Sequence, residues 1–288
     1  MRNYKYLAPA TFEELFSAVA SADGETAFLA GGTDLMPRIN LAREEMPRGE
    51  QKPLNIVWLG KLGLDRIEEK NGEVVIGACA THTAIMNNAI VGQKLPALKE
   101  ALIELAGTSV RNVATMGGNI MNASPAADSV PILVVLGARF VLRSATGERE
   151  VAACEFFTGP GKTKAAPGEV LTAIIVPVGK GKASFQKIGR RKAETLSIIS
   201  AAAYVEVEGG VCKAVRVAVG SAAPTVVCCD AVEKALAGQK LTEEAVKAAA
   251  AKAVEAISPI DDIRSSAWYR KKVAPVVVSR AIGNAACI

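Results

Sequence analysis

A chain of 288 residues is too long for one ordinary small domain and fits two, or one bilobal one. Half of its residues are hydrophobic and 22% are charged, which excludes a disordered chain. The net charge of +5 is spread without a block of like charges, so nothing points to nucleic acid or an anionic membrane surface.

Taken in order, Met1 to Tyr6 leads to Pro9 and a helix start, not to an apolar targeting run. Thr11-Phe12-Glu13-Glu14 has the form of a capping box, and Phe12, Leu15, Phe16 and Val19 recur at helical spacing. That helix should end near Ser21 to Gly24. Thr26 to Ala30 reads as a buried strand running into Gly31-Gly32-Thr33-Asp34, and Leu35 to Arg43 as a helix. Leu54 to Leu59 is a strand. Asp65–Glu69 and Glu73–Ile76 flank the turn Lys70-Asn71-Gly72, a hairpin signal. Thr83 to Asn88 and Pro96 to Ala106 read as helices. Gly107 to Asn122 is polar, lacks clean periodicity and reads as a long irregular loop, where sites tend to lie.

Val130 to Leu136 is a helix or a buried strand, and Ala138 to Arg143 a strand. The apolar stretch Val130 to Leu142 is too short to span a bilayer and contains Gly137 and Arg139, so a cytoplasmic location is expected. Phe156 to Thr163 reads as a loop, and Glu169 to Val176 as a strand stopped by Pro177. Gly179-Lys180-Gly181 marks a domain boundary. Beyond it, Ala183–Ile188, Ser200–Val207 and Cys212–Ser221 read as strands. Thr242 to Ile257 is an Ala-rich helix capped by Thr242, and a last helix runs from Ser266 to about Ile282. Strands and helices mix without strict βαβ alternation, which predicts an α+β fold.

Two segments share a design: Ala30-Gly31-Gly32-Thr33-Asp34 and Thr115-Met116-Gly117-Gly118-Asn119. Paired glycines let a backbone turn expose consecutive N–H groups, and such arrays bind phosphate oxygens. Two of them could clamp a pyrophosphate, with Thr33, Thr115 and Asn119 as added donors. Each could equally be an ordinary tight turn. No Gly-x-Gly-x-x-Gly fingerprint follows a strand, which argues against a Rossmann NAD site. Gly161-Lys162-Thr163 is not a P-loop, because Phe156 stands where the first glycine belongs.

Other reactive side chains are sparse. Cys79, Cys154, Cys212, Cys228, Cys229 and Cys287 show no metal-loop spacing and read as reduced thiols. His82 is the single histidine, so no histidine-rich metal site can form, and a surface or loop position is expected for it. Asp128, ahead of an apolar run, reads as a helix N-cap or as a partner for a ligand hydroxyl. Arg190-Arg191-Lys192 reads as a solvated face.

These strings carry a resemblance. Leu29 to Leu35, Val110-Arg111-Asn112-Val113-Ala114-Thr115-Met116-Gly117-Gly118-Asn119, Ala123-Ser124-Pro125-Ala126-Ala127-Asp128, Phe156 to Gly159, Phe185 to Arg191, and Asp262 to Arg264 with Tyr269-Arg270 occur in family order over essentially the whole chain. The chain resembles the FAD-binding subunits, or medium chains, of the xanthine dehydrogenase and carbon monoxide dehydrogenase family of molybdenum hydroxylases. The resemblance implies a two-lobed FAD-binding domain of the PCMH type at 1–178, with lobes of about 1–55 and 56–178. A smaller C-terminal α+β domain follows at 179–288. It implies FAD contacts from Leu29, Ala30, Gly31, Gly32, Thr33, Asp34, Leu35 and Met36 around the pyrophosphate and ribityl region. Thr115, Gly117, Gly118 and Asn119 would form the second clamp, and Asp128 would reach the ribityl chain. Leu171 and Lys187 would lie beside the isoalloxazine, and Leu105 would also touch the cofactor.

The resemblance further implies a relay. A large partner subunit with a molybdopterin cofactor oxidises the substrate, and a small subunit with two [2Fe–2S] clusters carries electrons. FAD held here passes them on, commonly to NAD. No general acid or base is expected in this chain, and no cysteine cluster of the hydroxybenzoyl-CoA reductase kind is present. Two other readings stay open: a self-contained flavin oxidase or reductase, and a non-catalytic module that has lost FAD. Gly32→Val or Gly118→Val is expected to abolish FAD binding.

Overall fold

The computed structural model describes residues 4–45 and 53–288, with the backbone alone at 42–45. Met1 to Asn3 of the N-terminal stretch lie outside the described residues. The fold is α+β, built among the described residues on three larger sheets and a two-stranded ribbon. The first holds strands β1 (Tyr4–Leu7), β2 (Glu25–Leu29) and β3 (Leu54–Trp58), all parallel, in the order β1-β3-β2. Parallel neighbours need a crossover. The helix Phe12–Ala20 carries the chain from β1 past β3 to β2, and is capped by Thr11, whose hydroxyl accepts from the Glu14 N–H. All of β3 is paired within this sheet.

The second sheet is antiparallel. It contains β4 (Ile67–Lys70), β5 (Glu73–Gly77), β6 (Arg139–Ser144), β7 (Gly147–Ala152) and β10 (Val170–Pro177), in the order β4-β5-β10-β6-β7. Asn71 and Gly72, at φ 54° and 78°, make the tight turn that the hairpin signal predicts. The segment Phe156 to Thr163, expected as a loop, contains the two-stranded ribbon β8 (Phe157–Gly159) and β9 (Lys162–Thr163). Phe140, Phe156 and Phe157 anchor it edge-to-face, with ring centroids 4.9 and 5.3 Å apart along the chain of rings. Each such pair adds about 0.5–1.5 kcal/mol beyond the area it buries.

The segment Val130 to Leu136, left open between helix and strand, is the helix Ser129–Val135, with every residue buried. A helix apolar on all faces belongs inside a core. The segment Gly107 to Asn122 is not an irregular loop: it forms the helices Thr108–Arg111 and Met116–Asn122. Both are too short for their periodicity to show in the sequence.

The third sheet is antiparallel: β11 (Lys182–Gly189), β12 (Ser197–Glu208), β13 (Val211–Gly220) and β14 (Val227–Cys228), in chain order. The helix Ala267–Ala286, capped by Ser266, packs on it. The Ala-rich segment after Thr242 divides into an α-helix, Glu243–Ala250, and a 3-10 turn, Ala251–Glu255. One apolar face of this sheet joins the core of the second lobe through Phe185, Ala202, Tyr204 and Ala218. No helix among the described residues is long and apolar enough to cross a membrane.

Candidate cofactor site

A cleft of about 800 Å³ is lined by residues of the first two sheets and by the segment Glu194–Leu196 between β11 and β12. That volume lies in the upper part of the range of about 300–1,000 Å³ usual for small-molecule sites. Every residue expected at the cofactor lines it except Met36 and Lys187. Met36 lies one residue inside the helix Leu35–Glu45 and is exposed.

The first glycine segment joins the carboxyl end of β2 to that helix. Ligands of open α/β sheets bind at this place, and helix N-termini favour anions. Gly32 has φ +73°, which a branched side chain resists. Gly31 has a different reason to be glycine: a Cβ there would lie 1.9 Å from the Val113 carbonyl oxygen, so the two lobes touch at this point. From Ala30 to Leu35, no backbone N–H donates to another described residue. A run of N–H groups facing a cleft without protein partners is a cradle for phosphate oxygens. Arg38, also on the cleft wall, is held 3.0 Å from Asp34.

The second segment is built in another way. Thr115 caps the helix Met116–Asn122, and its hydroxyl accepts from the Gly118 N–H at 3.1 Å. Met116 N–H donates to Ala80, Gly117 N–H to Ala78 and Asn119 N–H to Thr115, at 3.0, 2.8 and 3.0 Å. A Cβ on Gly117 would lie 2.6 Å from the Ala78 carbonyl oxygen. These glycines let the helix press against the end of β5, and their N–H groups are already used. The segment offers the cleft its side chains. The Asn119 carbonyl oxygen accepts from Ser129 at 2.6 Å, which leaves its amide NH₂ for a ligand.

Asp128 caps no helix. It sits buried on the cleft wall, 2.8 Å from the Lys187 ammonium and 2.5 Å from the Ser197 hydroxyl. Lys187 gives its other two protons to the carbonyls of Glu104 and Thr195, at 2.6 and 3.1 Å. All three donors of the ammonium are thus taken, and Lys187 stands behind Asp128 instead of in the cleft. Burial pushes the Asp128 carboxyl up from the ordinary carboxylate range, against the pull of Lys187 and Ser197. The pair ties the second lobe to β11 across the back of the cleft.

His82 does not lie on the surface. It is fully buried in the cleft wall. Burial, helped by the Arg111 charge, brings its imidazole down to about 4, so it is neutral at pH 7. Cys79, on the same wall, has its thiol pushed up to about 11 by burial and the Asp65 charge, so it is no nucleophile.

The chain's sequence singled out neither His82 nor the segment Glu194–Leu196, which also reaches the cleft. The signals were faint: a Thr81 cap ahead of His82, and Arg191, whose guanidinium holds the carbonyls of Ala193 and Glu194. Among the described residues no cluster of three or more potential ligands could hold a metal ion, and all six cysteines are unpaired.

The free N–H run, the glycine contacts that side chains would fill, and the size of the cleft fit a dinucleotide such as FAD. Comparison with known proteins agrees. Residues 2–179 match the FAD binding domain in molybdopterin dehydrogenase, and residues 183–285 match the CO dehydrogenase flavoprotein C-terminal domain. The glyceraldehyde dehydrogenase medium chain of Sulfolobus acidocaldarius is 32% identical, with 98% of each chain covered. The carbon monoxide dehydrogenase medium chain of Afipia carboxidovorans is 31% identical, over 98% of this chain and 96% of that one. Among solved structures, a Cu,Mo-CO dehydrogenase in its cyanide-inactivated form aligns with a TM-score of 0.91 at 30% identity. It covers 100% of this chain and 99% of that one. The chain belongs to the family of FAD-binding medium subunits of molybdenum hydroxylase complexes.

Proposed function

We propose that this chain is the relay subunit of such a complex, taking electrons from [2Fe–2S] clusters of a small partner subunit and delivering them to an acceptor such as NAD. Substrate oxidation then belongs to a large partner subunit with a molybdopterin cofactor. FAD, when bound, supplies the redox chemistry, and the protein positions and tunes it. The Ala30–Leu35 N–H groups and the start of the helix Leu35–Glu45 hold the pyrophosphate. Thr115 and Asn119 face it from the second lobe. Asp128, fixed by Lys187, accepts from a ribityl hydroxyl, and Leu105 and Leu171 give the isoalloxazine an apolar bed.

The single observation that carries this reading is the run of unpartnered N–H groups at the strand-to-helix junction of the cleft. The match to medium chains over nearly their whole length favours the relay over a self-contained oxidase. The test is the visible absorption spectrum of the purified chain after FAD is supplied and the excess removed. A retained flavin band, released on denaturation as FAD and not FMN, is expected. A colourless protein that takes up no FAD would overturn the reading.

A further inference from the structure

Four buried side-chain nitrogen or oxygen atoms among the described residues have no hydrogen-bond partner: both ring nitrogens of His82, the Ser221 hydroxyl and Arg270 Nε. Only His82 belongs to the cleft wall. Buried polar atoms without a partner are rare, and a whole imidazole left so calls for an explanation.

The backbone that carries the ring is anchored. The His82 N–H donates to the Ala114 carbonyl at 3.0 Å, and Thr81 both caps its helix and bridges to Thr115. The imidazole is thereby held beside the second glycine segment. The nearby Arg111 guanidinium cannot accept a proton from it. That group is engaged with the Leu105 and Ala106 carbonyls and the Thr108 hydroxyl. A neutral imidazole offers one N–H and one lone pair, and neither is used among the described residues.

We propose that His82 is a hydrogen-bonding partner of the FAD seated in this cleft. The inference rests on the FAD reading of the cleft. The ring closes toward the cofactor as FAD fills the cleft, and the cofactor atom it meets selects its tautomer. Because the ring stays neutral, it orients the cofactor without adding a charge beside it.

The chain has one histidine, so ¹⁵N-histidine labelling gives a single set of ring signals. FAD titrated into the labelled full-length chain should shift at least one ring-nitrogen signal. In parallel, flavin fluorescence should show FAD binding about tenfold weaker in His82→Leu, partly restored in His82→Gln, which keeps a donor and an acceptor. Ring signals that stay put while FAD binds, or a His82→Leu variant that binds FAD as tightly as the parent, would overturn the proposal and leave the FAD reading intact. A parent chain that takes up no FAD sinks both, and the visible spectrum tells the two failures apart.

Discussion

The two Gly-Gly segments carry nearly the same short sequence, yet their backbone N–H groups have opposite fates. In the first, Gly31 closes the contact between lobes, Gly32 supplies the left-handed turn, and the N–H groups through Leu35 stay free for a ligand. In the second, the glycines begin a helix, press it against Ala78, and donate within the protein. The difference comes from the elements that adjoin each segment. After β2 the chain turns at an open sheet end, whereas Met116–Asn122 lies against the rim of β5. The first segment is a backbone cradle, and the second is a scaffold for Thr115, Asn119 and the His82 wall.

The largest effect that would test this comparison is at Gly31. Gly31→Val must displace the Val113 carbonyl, and should cost more than about 3 kcal/mol of stability, read as a lower urea midpoint. An unchanged midpoint would mean that the two lobes do not meet at this glycine.

Acid comes next. The folded chain holds His82 neutral down to about pH 4, whereas the unfolded chain protonates it below its ordinary value of 6.5. Its contribution is therefore complete above pH 6.5 and is lost as pH falls toward 4, by up to about 3 kcal/mol. Denaturant titrations at pH 7, 5.5 and 4.5 should show that loss, and His82→Gln should flatten it.

A matched pair of variants sharpens the comparison itself. Gly32→Val, strained at φ +73°, should weaken FAD about 100-fold, near 2.7 kcal/mol, while the fold persists. Thr115→Val, which removes a helix cap, should cost about 1 kcal/mol and lower Tm by about 2–4 °C. Its effect on FAD should be smaller than that of Gly32→Val. Equal losses of FAD affinity would put both segments in the same role. Gly118→Val acts through the cap as well, since its Cβ would lie 2.9 Å from the Thr115 hydroxyl.

Local chemistry was legible in the sequence. Thr11, Thr242 and Ser266 mark helix starts because a hydroxyl that can satisfy a free N–H does so wherever the helix ends up. Asn71-Gly72 dictates its turn through backbone sterics alone. The order of the glycine, Ser-Pro-Ala-Ala-Asp and Arg-Arg strings was enough to point to the family and, through the glycine and Ser-Pro-Ala-Ala-Asp strings, to part of the cleft wall.

Only the tertiary structure decided what depends on distant partners. Two of the Lys187 donors point to Asp128 and Glu104, which come from far along the chain, so its place behind the cleft had no local sign. His82 looks like a polar residue beside a threonine cap, and its burial follows from Ala114 being brought over it. The same holds for the glycines: a sequence shows that an N–H can be exposed, but whether a carbonyl from another segment reaches it first is set by packing.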